Sequence, residues 1–566
     1  MSSLFLALFL LLSQTLALPA PTPRRFPARR NAGLNTLDVE KRASGSIGLG
    51  DNSDLLYTVP IEVDGTTTVV NLDTGSSDLW VITDKCVAGA CALASPGVQV
   101  PLAGLKTTGA SVTMNYGDST TGTSASGPVA MSTVAIAGVA IENQLFAAIN
   151  ATTNTVVEFG AAGIFGLGFP SESQIQGSQV SHTFGPTSQT DHFVASSYAD
   201  GPLISRIAQS GALDMPMFSI SLQRSTIDIS GTGALTLGAL PEGVDNSSIT
   251  WVPVRLYTEA EGGLAPPTFA PNEVYPLRWE VEIDGVFLDG KELPASTIPA
   301  TGGVSSTKMS ALIDTGNSIL RGPTDVVTNI LTQISPNYDP SVANSATLGC
   351  TTAHNLSFQI GGQMFPIDPR DLIAAEDPNE VSTCVVDSVV ATDPPSPGAL
   401  FRWSLGDPFM KSNLVVFHYG NLTNPSQDPP RIGFLSQVPA NAASLLTQAV
   451  QDAQENGNNF ESTLVIAPTA AAEQQQDVTV FPTSASAQAA ALTGTTHAPT
   501  QPTAAPAPPS NPATPAAGAS SANAAPAVAV PSASPSAKNG ATRRRLAMDP
   551  WLLVLGAAAL SAGLHL

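Results

Sequence analysis

The chain has 566 residues, of which 43% are hydrophobic and only 12% charged, with 47 glycines and 47 prolines. Such a composition supplies a large core over part of the length, favours turns over long helices, and points to an all-β fold with a disordered segment attached. A formal net charge of −22 excludes a general phosphate-binding surface and with it nucleic acid as a partner; the acidity suits work at low pH and equally serves solubility.

At the N-terminus, Leu4 to Leu12 form a nearly unbroken apolar run, followed by small residues that offer cleavage near Ala17 or Ala20. The run is too short to span a bilayer. Although no Lys or Arg precedes it, residues 1–17 read as a secretory signal peptide. Residues 18–42 carry Arg24-Arg25, Arg29-Arg30 and Lys41-Arg42 against two acidic side chains. This basic stretch reads as a prosegment held to an acidic body and released by a convertase at Lys41-Arg42, or as a solvated linker.

From about Tyr57 to Leu435, short Val, Ile, Leu and Thr runs are broken by Gly, Pro, Asn and Asp, the pattern of an all-β fold. Asp64, in Val-Asp-Gly, predicts a hairpin turn. Within this stretch one tripeptide recurs in one context. Val69-Val-Asn-Leu-Asp73-Thr74-Gly75-Ser76-Ser77 is a strand entering a turn, and Ala311-Leu-Ile-Asp314-Thr315-Gly316-Asn317-Ser318 repeats it. A lone Asp-Thr-Gly is an ordinary turn; two copies after buried-looking strands are specific. Two carboxylates a few ångströms apart share one proton and titrate in separate steps. The ionised one can activate water while the protonated one donates to an oxyanion. Glycine permits the tight turn each carboxyl needs, and the Thr74 and Thr315 hydroxyls are placed to bond across the gap.

Four cysteines fit an oxidising compartment, and of three pairings their positions favour Cys86–Cys91 and Cys350–Cys384. No histidine stands at ligand spacing from them, and His182 and His192 form no ligand set, so no metal is expected. Gly231-Thr-Gly233 precedes a strand-like run rather than a helix, so no nucleotide loop is expected either. Sequons at Asn150, Asn246, Asn355 and Asn421 agree with passage through the secretory pathway.

Taken together, Asp73-Thr-Gly-Ser-Ser-Asp-Leu-Trp80-Val, Asn115-Tyr116-Gly117-Asp118, Ala162-Gly-Ile-Phe-Gly-Leu-Gly168, Trp251-Val-Pro-Val, the second Asp-Thr-Gly and Leu405-Gly-Asp-Pro-Phe-Met410 resemble the pepsin-like aspartic peptidases, fungal members in particular. The resemblance covers roughly Leu55 to Leu435, and the cysteine positions match the family's two disulfide loops. It implies an all-β, bilobal fold with a central cleft, lobes at 43–250 and 251–437, and one catalytic aspartate in each, Asp73 and Asp314. It implies a mobile hairpin carrying Tyr116, whose hydroxyl Trp80 would hydrogen-bond, and Ser76 orienting Asp73. Gly75, Gly316, Ser76, Asn317, Tyr116 and Asp118 would meet the substrate, a protein or peptide, with no cofactor and a monomeric enzyme. Asp118 would favour a basic residue on the acyl side of the cut bond, or cap its hairpin turn. The resemblance makes Asp407 structural. The chain departs from the family in three places: Asn317 stands where Thr or Ser is usual, insertions fall around Ser171–Asp200 and Glu259–Asn272, and the prosegment is short.

Beyond the lobes, residues 438–539 are rich in Ala, Pro, Ser and Thr and read as a disordered, O-glycosylated stalk, with a short helix around Ser444 to Gln454. Asn539-Gly540-Ala541, the spacer holding Arg543-Arg544-Arg545, and the apolar run Trp551 to Leu566 match a glycosylphosphatidylinositol signal. Attachment is expected at Asn539 with loss of 540–566, which places the protein on the plasma membrane or cell wall, with release into the medium as a further destination. A transmembrane helix is the competing reading, but the run falls short of the ~20 residues a span needs. A catalytically weak peptide-binding relative and an adhesive wall glycoprotein are the alternatives to an enzyme; the second leaves the paired motifs unexplained.

Overall fold

The computed structural model describes residues 44–468, apart from 118–121, 186–189, 300–308, 344, 378 and 393–401, together with a strand at 479–481. The signal, the prosegment through Arg42, the rest of the stalk and the anchor signal lie outside the described residues, as does Asp118.

Period-two burial marks the hairpin strand, whereas central strands such as Leu79–Ile82 and Ser310–Ile313 are buried throughout. In Lys106–Tyr116, Ala110, Val112 and Met114 point inward while the residues between them are exposed. Asp64 and Gly65 both take positive φ, at 51° and 74°, and turn Tyr57–Val63 back into Thr66–Asp73.

Two sheets repeat one arrangement. In the first half, Thr66–Asp73 runs parallel to Gly163–Gly166, which is antiparallel to Leu79–Ile82, itself parallel to Val139–Ile149. In the second, Ser310–Ile313 runs parallel to Trp403–Leu405, which is antiparallel to Leu320–Pro323, itself parallel to Val389–Thr392. Each Asp-Thr-Gly thus leaves the end of a strand flanked by the same neighbours. The helix Thr324–Ile334 buries Val326, Val327, Ile330, Leu331 and Ile334 on one stripe in the second half, with Asp325 favourably placed in its first turn.

A third, six-stranded antiparallel sheet joins the halves, in the order Gly45–Gly48, Ala234–Leu237, Met217–Ser221, Asn413–His418, Arg431–Ser436, Thr250–Pro253. Above it lies a fully buried aromatic cluster. Phe218 stacks on Phe417 at 4.7 Å, and Trp279 meets Phe169 at 4.2 Å and Tyr419 at 4.9 Å. Aromatic pairs add about 0.5–1.5 kcal/mol beyond their burial, so this joint is firm.

The first insertion is helical, with Gln174–Phe184 packed beside the hairpin strand Lys106–Tyr116 and Thr190–Asp200 packed against that helix and the strand Val139–Ile149. Asp191 accepts a hydrogen bond from the Thr268 N–H at 2.7 Å, so the two insertions touch.

Residues 438–468, assigned by composition to the stalk, are folded, which moves the start of that segment. Helix Ala442–Glu455 buries Leu446, Ala449, Val450 and Ala453, and Leu464–Val465 pairs with Gly50–Asn52. The alanine-rich composition conceals an i, i+3, i+4, i+7 stripe that needs a surface to cover. No helix among the described residues is long and apolar enough to cross a membrane.

Candidate active site

The two Asp-Thr-Gly turns lock into each other through their threonines. Thr74 Oγ1 donates to the Ile313 carbonyl at 2.8 Å and accepts the Thr315 N–H at 3.0 Å. Thr315 Oγ1 donates to the Leu72 carbonyl at 2.8 Å and accepts the Thr74 N–H at 3.1 Å. Both threonines are buried, so the four bonds act in a low-dielectric setting where loss of a partner is costly.

Glycine is dictated by space. A Cβ on Gly75 would lie 2.3 Å from Asp314 Oδ1, and one on Gly316 would lie 2.4 Å from Asp73 Oδ1. Their amides serve the nearer carboxylate, Gly75 N–H to Asp73 Oδ1 at 2.8 Å and Gly316 N–H to Asp314 Oδ1 at 2.9 Å.

Asp73 is 5% exposed; its Oδ2 accepts the Ser76 hydroxyl. Burial raises its pKa, opposed by bonds from Ser76 and from the Gly75 and Ser76 amides. Asp314 is raised by burial and then by the negative charge of Asp73, to which it is hydrogen-bonded. Two carboxyls in contact retain one proton between them, and more donors surround Asp73 than Asp314.

Tyr116 ends its hairpin strand, and its hydroxyl accepts the Trp80 indole N–H at 2.9 Å. Burial and the charges of Asp73 and Asp78 hold the phenol far above its usual range. It is therefore a neutral hydrogen-bonding group at any working pH. The Asn317 side chain does not bond the Asp314 carboxylate: its Nδ2 donates to Ser404 Oγ at 2.9 Å.

Two residues escaped the sequence reading. Ser404 reaches Asp314 Oδ2 at 3.4 Å from the neighbouring strand; a hydroxyl inside the otherwise apolar Trp-Ser-Leu strand was the available signal. Asp78, in the first motif, accepts bonds from the Ser173 hydroxyl and from the N–H groups of Gln174 and Ile175, at 2.7 and 3.2 Å for the amides, holding the first insertion helix by its N-terminus.

Asp407 is buried and its carboxyl is pushed well above the usual range by burial, with one oxygen unpartnered. The disulfides are Cys86–Cys91 and Cys350–Cys384, one in each half. Asn150, Asn246 and Asn355 are exposed and Asn421 half-buried.

A buried carboxyl pair sharing a proton, on a duplicated β fold, defines the class of aspartic peptidases. Comparison agrees: the model of the eukaryotic aspartyl protease family matches residues 56–424. The chain belongs to that family, the pepsin family of aspartic endopeptidases. It is 25% identical over 405 residues to an aspartic protease of Phaffia rhodozyma, covering 70% of this chain and 80% of the relative. It is 27% identical over 390 residues to pepsin A of Sus scrofa, covering 68% and 80%. With major aspartyl peptidase 1 of Cryptococcus neoformans it shares 24% identity over 424 residues, covering 72% and 73%.

Proposed function

We propose that this endopeptidase is secreted, held at the cell surface by a lipid anchor, and cuts peptide bonds in acid with Asp73 as base and Asp314 as acid. The observation that carries the reading is the asymmetry of the donors: Asp73 accepts from the Ser76 hydroxyl and the Gly75 N–H, whereas Asp314 accepts from the Gly316 N–H at 2.9 Å and from Ser404 only at 3.4 Å. Asp73 takes a proton from water as the water oxygen attacks the peptide carbonyl carbon, and Asp314 gives its proton to the carbonyl oxygen. As the tetrahedral diol collapses, the C–N bond breaks, the amine takes the proton from Asp73, and Asp314 recovers its own. Tyr116, at the end of its hairpin and tied to Trp80, closes over the substrate and excludes water from the pair.

Casein digestion at pH 3–5 with and without pepstatin tests the reading: hydrolysis that pepstatin suppresses supports it, and no hydrolysis in acid contradicts it. Secretion is supported by the apolar leader, the exposed sequons and the disulfides. Release after Arg42 would leave intact the strand Gly45–Gly48, the first of the joining sheet. For the anchor, replacing Asn539-Gly540-Ala541 with bulky residues should abolish surface retention; unchanged retention would favour a transmembrane tail. Asp118 is assigned a preference for Lys or Arg before the cut bond, which peptide-library cleavage by Asp118→Ala should erase.

A further inference from the structure

The duplicated fold permits a position-by-position comparison of the two halves. In the first, the residue three after the aspartate is Ser76, and its hydroxyl bonds Asp73 directly. The parallel strand alongside places Ile164 opposite Asn71, two residues before Asp73. In the second half the residue three after the aspartate is Asn317, and the strand alongside places Ser404 opposite Leu312, two residues before Asp314. The hydroxyl has changed places: Ser and Ile in one half, Asn and Ser in the other.

The direction of each bond follows from donor inventory. The Ile319 backbone N–H, which can only donate, faces Asn317 Oδ1 at 3.3 Å. That fixes the amide so that Nδ2 points to Ser404 Oγ at 2.9 Å. An amide nitrogen only donates, so Ser404 accepts from Asn317 and keeps its single proton for another partner. The acceptor in reach is Asp314 Oδ2 at 3.4 Å, a long bond of the kind that tightens when substrate binds. That bond stabilises the ionised form of Asp314 and opposes the upward push from burial and from Asp73.

We propose that Ser404, held by Asn317, is the positioning residue for the acidic carboxyl of this enzyme, replacing the direct hydroxyl that Ser76 supplies on the other side. The relay does two things: it fixes the rotamer of Asp314 against Asp73, and it keeps Asp314 from binding its proton too tightly to give it up. The inference rests on the assignment of Asp73 and Asp314 as the catalytic pair.

The experiment is the pH dependence of kcat and KM for peptide hydrolysis by the mature enzyme and by Ser404→Ala, Ser404→Thr and the Ser404→Ala/Asn317→Thr double variant. Loss of the hydroxyl should lower kcat by about tenfold with KM little changed. It should also move the upper pH limb, which reports Asp314, upward by roughly half a unit. Ser404→Thr should restore both. The double variant, which returns a hydroxyl to the position Ser76 occupies in the first half, should restore both as well. Wild-type kcat and upper limb in Ser404→Ala, or a folded double variant no better than Ser404→Ala, overturns the proposal. If Ser404→Ala does not fold, the double variant alone decides on the same two readings. Asp73→Asn and Asp314→Asn measured alongside separate the two ideas: turnover in either would remove the catalytic pair itself, whereas inactive aspartate variants with an unaffected Ser404→Ala would remove only the relay.

Discussion

At Gly75 and Gly316 a single methyl group decides the chemistry. Each Cβ would sit within about 2.5 Å of the opposite carboxyl, closer than real contacts allow. Gly75→Ala must therefore push the aspartates apart, costing about 1–3 kcal/mol in strain and, because near-attack geometry is lost, roughly a hundredfold or more in kcat/KM. Steady-state kinetics beside a thermal melt check this; a Gly75→Ala enzyme with normal kinetics would sink the geometric account. Asp78 differs in kind. It touches neither aspartate in a bond but holds the insertion helix by three donors, and burial pushes its carboxyl up to about 6. Replacement by Ala leaves buried donors unpaired and should destabilise by about 1–3 kcal/mol, visible as a lower melting temperature in acid.

Among the elements, the hairpin strand was legible because its burial alternates with period two, and the motif strands because short apolar runs buried along their ends lead into Asp-Thr-Gly, local chemistry that survives in one dimension. The turn at Asp64-Gly65 is another such case. The C-terminal strap was not legible in full. Its helix stripe is built from Leu446, Ala449, Val450 and Ala453, small residues whose burial depends on a surface far away in the chain. Ser404 was missed for the same reason: its meaning lies in strand register, not in spacing. The strap is a stabilising element. Leu446→Ala should cost about 2–5 kcal/mol. A chain ending at residue 485 should melt with the full-length protein, whereas one ending at 440 should melt well below it. Equal melting of both truncations would show the strap to be a passenger.

At the scale of the molecule, a buried charge network ties the two halves together. Arg224 Nη2 meets Asp371 Oδ2 at 2.7 Å, and Lys411 Nζ reaches Asp54 Oδ2 at 3.0 Å and Asp371 Oδ1 at 3.1 Å. Burial alone would raise Asp371, but Arg224 and Lys411 hold it down to about 2. It contributes stability above the unfolded value near 4, lost as pH falls toward 2. Other groups pull the opposite way: burial raises Asp51 to about 7, with Asp54 adding to it, and raises Asp407 and Glu172, the last to about 7 against the pull of Arg278. The folded state holds these protons more tightly than the unfolded chain, so their contribution is complete below about pH 4 and is lost as pH rises toward 7. Stability should therefore peak in mild acid and fall toward neutrality; melting temperatures from pH 2 to 8 check it, and a maximum at or above pH 7 would contradict it. An enzyme so built is most stable where its aspartate pair is singly protonated.

That pair is the centre of the account, and the most direct measurement of it is the initial rate of casein hydrolysis in acid by purified Asp73→Asn and Asp314→Asn. The melting temperature of each variant shows that the fold persists. The account predicts that each loses activity by at least about a thousandfold while remaining folded, since neither an amide base nor an amide acid can move the shared proton. Turnover close to the wild-type rate in either folded variant would contradict it.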